Sequence, residues 1–347
     1  MKKDDSEFQP SQEGFPPLHG GDKKTLSSLI TKIQKDFGES VQVGELNRSI
    51  ETVSTGSFVL DLATGIGGYP RGRITTIAGW ESSGKTTHAL RAIAAIQERG
   101  GTAAFIDTEY ALDLSWAEKL GVNIGTLLWL QVEDLETAGE VAVDLAQSAA
   151  VDMIVLDSVA GSPIKAVVGG DLGDSNMGKR AKIMSDFMPK LNGPVSRNNV
   201  WMIFTNQLRD SLDPYKPKPV RPGGHALSFH SSMIVELRSK RDTKTGEVST
   251  KAVVEKNKLS TPGRVAEYTM GVDGYINLVE EVATILTTNE YSEILGVTRA
   301  GAWYTVPQEI FPDMEEAKFM GKQKLEEALA EVEAFERAEA YIKLKMM

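Results

Sequence analysis

The chain has 347 residues, 38 Lys and Arg against 48 Asp and Glu for a formal charge of −10, four histidines and no cysteine. Disulfides, thiolate zinc sites, cysteine nucleophiles and a histidine-rich metal centre are thereby excluded, while 41% hydrophobic residues suffice for one large or two modest cores. No apolar run approaches the roughly 20 residues of a bilayer span, and MKKDDSEFQP lacks the apolar stretch of a secretory signal, so a soluble, cytoplasmic protein without membrane contact is expected.

Residues 1–22 are rich in Pro, Gly, Asp and Ser without hydrophobic period and read as a disordered arm. Leu26, Leu29, Ile30, Ile33 and Phe37 then fall on one helical face ended by Gly38, and SVQVGEL (40–46) alternates as a strand does. This helix and strand (23–48) need an apolar surface, either the chain's own core or a neighbouring subunit.

From residue 49 to 285 strands and helices alternate. Ile74–Ala78, Ala103–Asp107, Leu127–Gln131, Met153–Asp157 and Val200–Thr205 are short apolar runs of the kind buried on both faces. Thr86–Glu98, Thr137–Ser148 and Gly178–Leu191 are helical in pattern, so a mostly parallel twisted sheet flanked by helices is expected. Ser232–Leu237 and Lys251–Glu255, joined through a turn at Lys244-Thr245-Gly246, look like an antiparallel extension. From 286 to 347 a small, mostly helical C-terminal domain is expected, with Leu325, Leu329, Val332, Phe335 and Ala338 forming its stripe.

The strongest signal is Gly79-Trp80-Glu81-Ser82-Ser83-Gly84-Lys85-Thr86-Thr87, a G-x-x-x-x-G-K-[ST] loop between an apolar strand and a helix. Its glycines let backbone N–H groups turn inward around phosphate oxygens, and the helix N-terminus favours the same anion. Lys85 should contact the β- and γ-phosphates and Thr86 should offer its hydroxyl to Mg²⁺. Met153–Asp157 is an apolar strand ending in a carboxylate, placed to steady that Mg²⁺. Hydrolysis needs a group to activate water. Glu109, beyond the strand ending at Asp107, is the candidate base, with Asp107 as the competing carboxylate.

The stretches STGSFVLDLATGIGGYPRGRI (54–74), GWESSGKTT (79–87), FIDTEYALD (105–113), DMIVLDSVA (152–160), GDSNMG (173–178), IFTNQLR (203–209), KNK (256–258) and GAWY (301–304) resemble the RecA family of bacterial and phage recombinases. The match runs over about residues 25–310, and GDSNMG, NQLR and GAWY discriminate better than the phosphate-loop motifs that many ATPases share. The resemblance implies an α/β RecA-type P-loop core with ATP and Mg²⁺ as cofactors. Asp113 and Trp116 would hold the adenine, Trp116 by stacking. Gln207 would sense the γ-phosphate, and Lys256 and Lys258 would reach ATP in a neighbouring subunit. The helix–strand arm and Phe229 would lie at that boundary.

Two segments without core-forming period, Val167–Asp174 and Asp210–Pro222, would by the same resemblance be the DNA-binding loops. Met177, Lys179, Arg180, Lys182, Arg209, Tyr215, Lys216, Lys218 and Arg221, with the flexible pair Gly223 and Gly224, are the candidate DNA contacts. Cations there neutralise backbone phosphates without reading sequence, Met177 could wedge between bases, and Tyr215 could stack on one. The chain departs from the family in its proline-rich second loop, in Pro189, in Trp80 inside the phosphate loop and in a mixed Glu/Lys C-terminal helix, which suits a divergent or phage-encoded member.

The function implied is a DNA-dependent ATPase that forms a helical filament on single-stranded DNA, pairs it with a homologous duplex and exchanges strands, with single-strand-binding and loader proteins as possible helpers. A ring-forming helicase or regulatory ATPase, and a non-catalytic nucleotide-gated DNA scaffold, are the alternatives.

Overall fold

The computed structural model describes residues 23–37, 50–168, 178–210 and 219–347. The expected arm at 1–22, the strand at 40–46, most of the first loop with Met177, and Tyr215, Lys216 and Lys218 of the second lie outside the described residues. Residues 1–49 and 50–347 are separate compact units. In the first, α1 (Lys23–Phe37) is the expected amphipathic helix, with Leu26, Leu29 and Phe37 exposed.

The second unit opens with β1 (Thr52–Val53), α2 (Phe58–Thr64) and β2 (Tyr69–Pro70). Its body is β3 (Ile74–Gly79), α3 (Lys85–Glu98), β4 (Ala103–Asp107), α4 (Leu114–Lys119), β5 (Leu128–Gln131), α5 (Leu135–Ser148) and β6 (Met153–Asp157). There follow α6 (Lys165–Val168), α7 (Lys179–Arg197), β7 (Trp201–Gln207), α8 (Gly224–His230), β8 (Met233–Arg241), β9 (Val248–Asn257) and β10 (Val265–Met270). Eight strands form one sheet in the order β10-β9-β8-β3-β7-β6-β4-β5. It is parallel from β8 to β5, and β9 and β10 extend it antiparallel.

Alternation inside the strands explains the layering. Met153 and Val155 of β6, with Phe105 of β4 and Ile203 of β7, pack under Leu90, Ile93 and Ile96 of α3. Their neighbours Ile154, Leu156, Ile106, Met202 and Phe204 face the other way, against Leu135 and Ala142 of α5 and Met184, Met188 and Leu191 of α7. Each central strand is thus apolar on both faces, as a strand between two helical layers must be.

Expectation and structure part at one helix end. The helix expected to end at Leu191 runs to Arg197, through Pro189 and Pro194. Proline removes a helical hydrogen bond, but Pro194 and Val195 continue the buried face begun by Met184, Phe187 and Leu191, and that packing carries the helix past both prolines. The C-terminal stretch is mostly helical, with a small three-stranded sheet between its helices. It holds α9 (Leu278–Thr287), α10 (Asn289–Leu295), β11 (Thr298–Ala300), β12 (Trp303–Thr305), β13 (Lys318–Met320), α11 (Gly321–Leu329) and α12 (Val332–Met346), with the three strands paired antiparallel. Its apolar cluster, including Leu286, Leu325, Leu329 and Ile342, also takes in Phe58 and Leu62 of α2.

Candidate functional site

The glycine-rich turn lies where β3 meets α3, at the carboxyl ends of the parallel strands, the usual ligand edge of such sheets. A Cβ on Gly79 would come within 2.2 Å of Ser83 Oγ and 2.8 Å of the Leu237 carbonyl oxygen, so the turn closes only over glycine. Ser82 and Gly84 adopt φ of 58° and 90°. Lys85, 7% exposed, donates from Nζ to the Trp80 carbonyl at 2.8 Å. Burial pushes its ammonium down from the usual lysine range, against the pull of Asp157, Glu109 and Glu81. A desolvated cation answered by a carbonyl favours an anion beside it. Ser83 Oγ is buried without a partner among the described residues, the state of a group meant for a ligand.

Ser82, Ser83, Gly84, Lys85, Thr86 and Thr87 line a cavity of about 260 Å³ closed by Trp116 and by the turn after β10. Gly274 in that turn admits the indole, since a Cβ there would stand 2.8 Å from Trp116 Cζ2. Asp113 caps α4, its Oδ1 accepting from the Ser115 and Trp116 N–H groups at 2.9 and 3.1 Å, which fixes the turn that presents Trp116. The Ser115 hydroxyl, which also donates to Oδ1 at 2.7 Å, and then these N–H groups hold the Asp113 carboxyl below its usual range. Glu81 lies with Trp80 in the adjoining groove beside Arg238 and Lys251. Sequence reasoning missed Met270, Gly271 and Val272 on the cavity wall. Two glycines within four residues at a strand end (Gly271, Gly274) were the available signal.

At the first turn of α3, Thr86 Oγ1 donates to Asp157 Oδ2 at 2.6 Å, and the Thr205 hydroxyl donates to Asp157 Oδ1. Burial pushes the Asp157 carboxyl up, the two hydroxyls counter it, and the Glu109 charge adds to the rise. One hydroxyl and one carboxylate suit a hard divalent cation that takes few protein oxygens and keeps its waters. The two competing carboxylates have different surroundings. Asp107, 2% exposed, accepts from the N–H groups of Glu109, Ala111 and Leu112 at 3.1, 3.4 and 3.3 Å, so it shapes the loop. Glu109 is exposed and accepts the Ser158 hydroxyl on Oε1.

Gln207 ends β7 opposite Gly79, and the Leu208 N–H donates to the Gly79 carbonyl at 2.9 Å, so Gln207 abuts the start of the phosphate loop. Lys256 and Lys258 lie elsewhere. Asn257 is level with Met233 and Met233 with Thr75, whereas the phosphate loop follows Gly79, which is level with Leu237. Four residues at about 3.3 Å each put the lysines about 13 Å down the strands from that loop's first residue. Lys256 Nζ donates to the Ser228 and Phe229 carbonyls at 2.5 and 3.0 Å, and Lys258 Nζ donates to the latter at 3.3 Å. Burial, then the Lys258 charge, pushes the Lys256 ammonium down. Phe229 beside them is 72% exposed.

The model of the RecA N-terminal domain matches residues 24–275. The chain belongs to the RecA family. It is 43% identical over 292 residues to Protein RecA of Bacillus thuringiensis (strain Al Hakam) and of Bacillus anthracis, covering 82% of this chain and 84% of each of those proteins. To Protein RecA of Listeria welshimeri it is 41% identical over 296 residues, 82% of either chain. As a RecA family recombinase it binds nucleotide, acts as a DNA-dependent ATPase, and forms filaments on DNA in recombination and repair.

The expected DNA contacts of this RecA family chain divide by placement. Lys179, Arg180 and Lys182 open α7 after Gly178, with Arg180 Nη2 donating to the Ser162 carbonyl at 2.7 Å. Arg209 is exposed just beyond Gln207, near enough for its charge to act on both Arg180 and Lys85. The Arg221 guanidinium pairs with Glu236 at 3.2 Å and with Glu255. Gly223 and Gly224 stand at the start of α8 with φ of 96° and 71°, and a Cβ on Gly224 would meet Ala181 Cβ at 2.8 Å, so they are glycines for close approach to α7. No helix among the described residues is long and apolar enough to cross a membrane.

Proposed function

We propose that the chain works as an ATP- and Mg²⁺-dependent recombinase whose reaction site is completed by the next protomer of a helical filament. Lys85 and the phosphate-loop N–H groups hold the β- and γ-phosphates of ATP, and Trp116, presented by Asp113, stacks on the adenine. Thr86 and Asp157, the latter through water, would hold Mg²⁺, which when bound would neutralise charge on the phosphate oxygens. Glu109 orients and deprotonates the attacking water, since it is the carboxylate left accessible while Asp107 is spent on backbone. Lys256 and Lys258 of the adjacent protomer supply the remaining positive charge.

The observation that carries this reading is the placement of the lysine pair at the far end of the strands from its own phosphate loop. Two ammoniums that cannot serve their own site, beside an exposed Phe229, fit a head-to-tail contact in which each protomer completes its neighbour's pocket. The apolar stripe of α1 fits docking on the same neighbour. Arg209, with Lys179, Arg180 and Lys182, grips single-stranded DNA and its homologous duplex by their backbones, so sequence preference is slight. Gln207 passes the state of the phosphate loop to the segment that follows it. Single-strand-binding and loader proteins assist this assembly in a cytoplasmic setting.

Two measurements test the reading together. Affinity for single-stranded DNA should rise with a non-hydrolysable ATP analogue and fall with ADP, and electron microscopy of the analogue complex should show helical filaments. Equal affinity in both nucleotide states, or closed rings, would overturn it.

A further inference from the structure

Arg221 lies at the carboxyl-terminal base of the second loop, and its backbone is pinned. Val220 and Arg209 exchange N–H···O bonds of 2.9 and 3.0 Å, and the Pro222 carbonyl accepts Asn206 Nδ2 at 2.9 Å. The side chain, 22% exposed, donates from the single nitrogen Nη2 to Glu236 Oε2 at 3.2 Å and to Glu255 Oε2. Glu236 has a second cation, because Arg238 Nε reaches its Oε1 at 2.8 Å. Among the described residues, Arg221 is the cation paired with Glu255.

Glu255 is also where β9 breaks register. Ile234 is opposite Lys256 and Val235 is opposite Val254, so Glu255 is the extra residue of a β-bulge directly before the lysine pair. A bulge bends its strand and re-aims the adjoining side chains. The same lysines are tied through Ser228 and Phe229 to the end of α8, a helix that begins two residues after Pro222. Arg221, α8, Lys256 and Glu255 thus form a closed ring of contacts.

Resting on the reading that Lys256 and Lys258 complete the neighbour's site, we propose that the Arg221–Glu255 ion pair is a positioning contact. It sets the bulge that aims the two ammoniums, and so ties the base of the second loop to the pocket of the adjacent protomer. Removing either charge lets the bulge relax. Without Arg221, Glu255 and the largely buried Glu236 also face each other without their shared cation, which costs both. Because one nitrogen makes both contacts, lysine at 221 can replace arginine, unlike at a site that needs the two-pronged fork.

The test uses the full chain and measures ATP turnover against single-stranded DNA concentration. Arg221→Gln and Glu255→Gln should each lower kcat about tenfold while the half-stimulating DNA concentration moves less than about twofold, and the double variant should be no worse than either, as for two residues acting as one unit. Arg221→Lys should recover kcat to within about threefold of the original chain. Glu255→Gln spares the Arg221–Glu236 contact, so it reports even where Arg221→Gln folds poorly. The proposal is overturned if Arg221→Gln raises the half-stimulating DNA concentration at constant kcat, which would make Arg221 a phosphate ligand. It is equally overturned if Glu255→Gln is without effect or if lysine at 221 fails to rescue. Lys256→Ala run alongside separates the two levels: unchanged turnover in that variant sinks the underlying reading of the lysine pair, whatever Arg221 does.

Discussion

The hydroxyl of Thr86, in the first turn of α3, donates at 2.6 Å to the carboxylate of Asp157, the last residue of β6. The bond joins the phosphate loop to the end of β6, two strands away in the sheet, and sets two oxygens where a hard cation can take them. Burial raises the Asp157 carboxyl, so its charge is held at a cost to the fold. Asp157→Asn should therefore leave thermal stability equal or slightly raised while the Mg²⁺ concentration for half-maximal turnover climbs. Loss of one charge-assisted contact of about 1.5–3 kcal/mol corresponds to roughly 10- to 150-fold. A Mg²⁺ titration of ATP turnover decides it, and an unshifted midpoint would remove Asp157 from the metal site.

Glu109 is positioned from below by a residue with no side chain. A Cβ at Gly161 would come within 2.1 Å of Glu109 Oε1 and 2.5 Å of its Cδ. The clash falls on a flexible side chain, not on backbone, so Gly161→Ala should fold normally and displace the carboxylate. Turnover should fall toward that of Glu109→Gln, for which loss of a general base predicts about 10²–10⁴-fold, while nucleotide binding in a fluorescence titration stays within about threefold. Asp107→Ala should act differently, lowering the melting temperature through the loss of three backbone acceptor contacts. Full turnover in both Gly161→Ala and Glu109→Gln would place the base elsewhere.

The parallel sheet was legible because its strands carry apolar residues on both faces, a pattern that survives in single sequence. β1, β2 and the strands of the C-terminal sheet are two or three residues long, too short to show any period. The phosphate loop was legible because its parts are contiguous. The choice between Asp107 and Glu109 was not, since it depends on which carboxylate the backbone of the same loop captures. The ion pairs of Arg221 were not legible for a related reason. Among cations and prolines it reads as a DNA contact, but its partners Glu236 and Glu255 lie 15 and 34 residues away, and only the fold brings them to it.

Two buried groups, His88 and Glu281, titrate in opposite senses. His88 of α3 is fully buried between the Tyr268 hydroxyl (2.6 Å from Nε2) and the Thr55 carbonyl (2.9 Å from Nδ1), and burial lowers it to about 4. Glu281 of α9 accepts the Ser57 hydroxyl and the Phe58 N–H at 2.8 and 2.6 Å, and burial raises it to about 7. The folded state thus binds fewer protons at His88 and more at Glu281 than the unfolded chain does. The His88 contribution to stability is lost as pH falls from 6.5 through 4, and the Glu281 contribution is lost as pH rises from 4.5 through 7. Glu281→Gln should gain stability relative to the original chain between pH 5 and 8, by up to about 3 kcal/mol at 1.36 kcal/mol per pKa unit. Melting curves across that range check it, and a difference independent of pH would refute the assignment.

A pocket shared between protomers predicts complementation. Lys85→Ala destroys the phosphate loop but leaves the lysine pair at the other end of the strands intact, and Lys256→Ala with Lys258→Ala does the reverse. Each variant alone should be inactive. In an equal mixture, a junction that joins the sound phosphate loop of one variant to the sound lysines of the other is complete, and random head-to-tail assembly makes about a quarter of junctions so. ATP turnover of the mixture on single-stranded DNA should accordingly recover to about that fraction of the original chain's rate. Were the lysines to serve their own protomer, no junction would be whole and mixing would restore nothing.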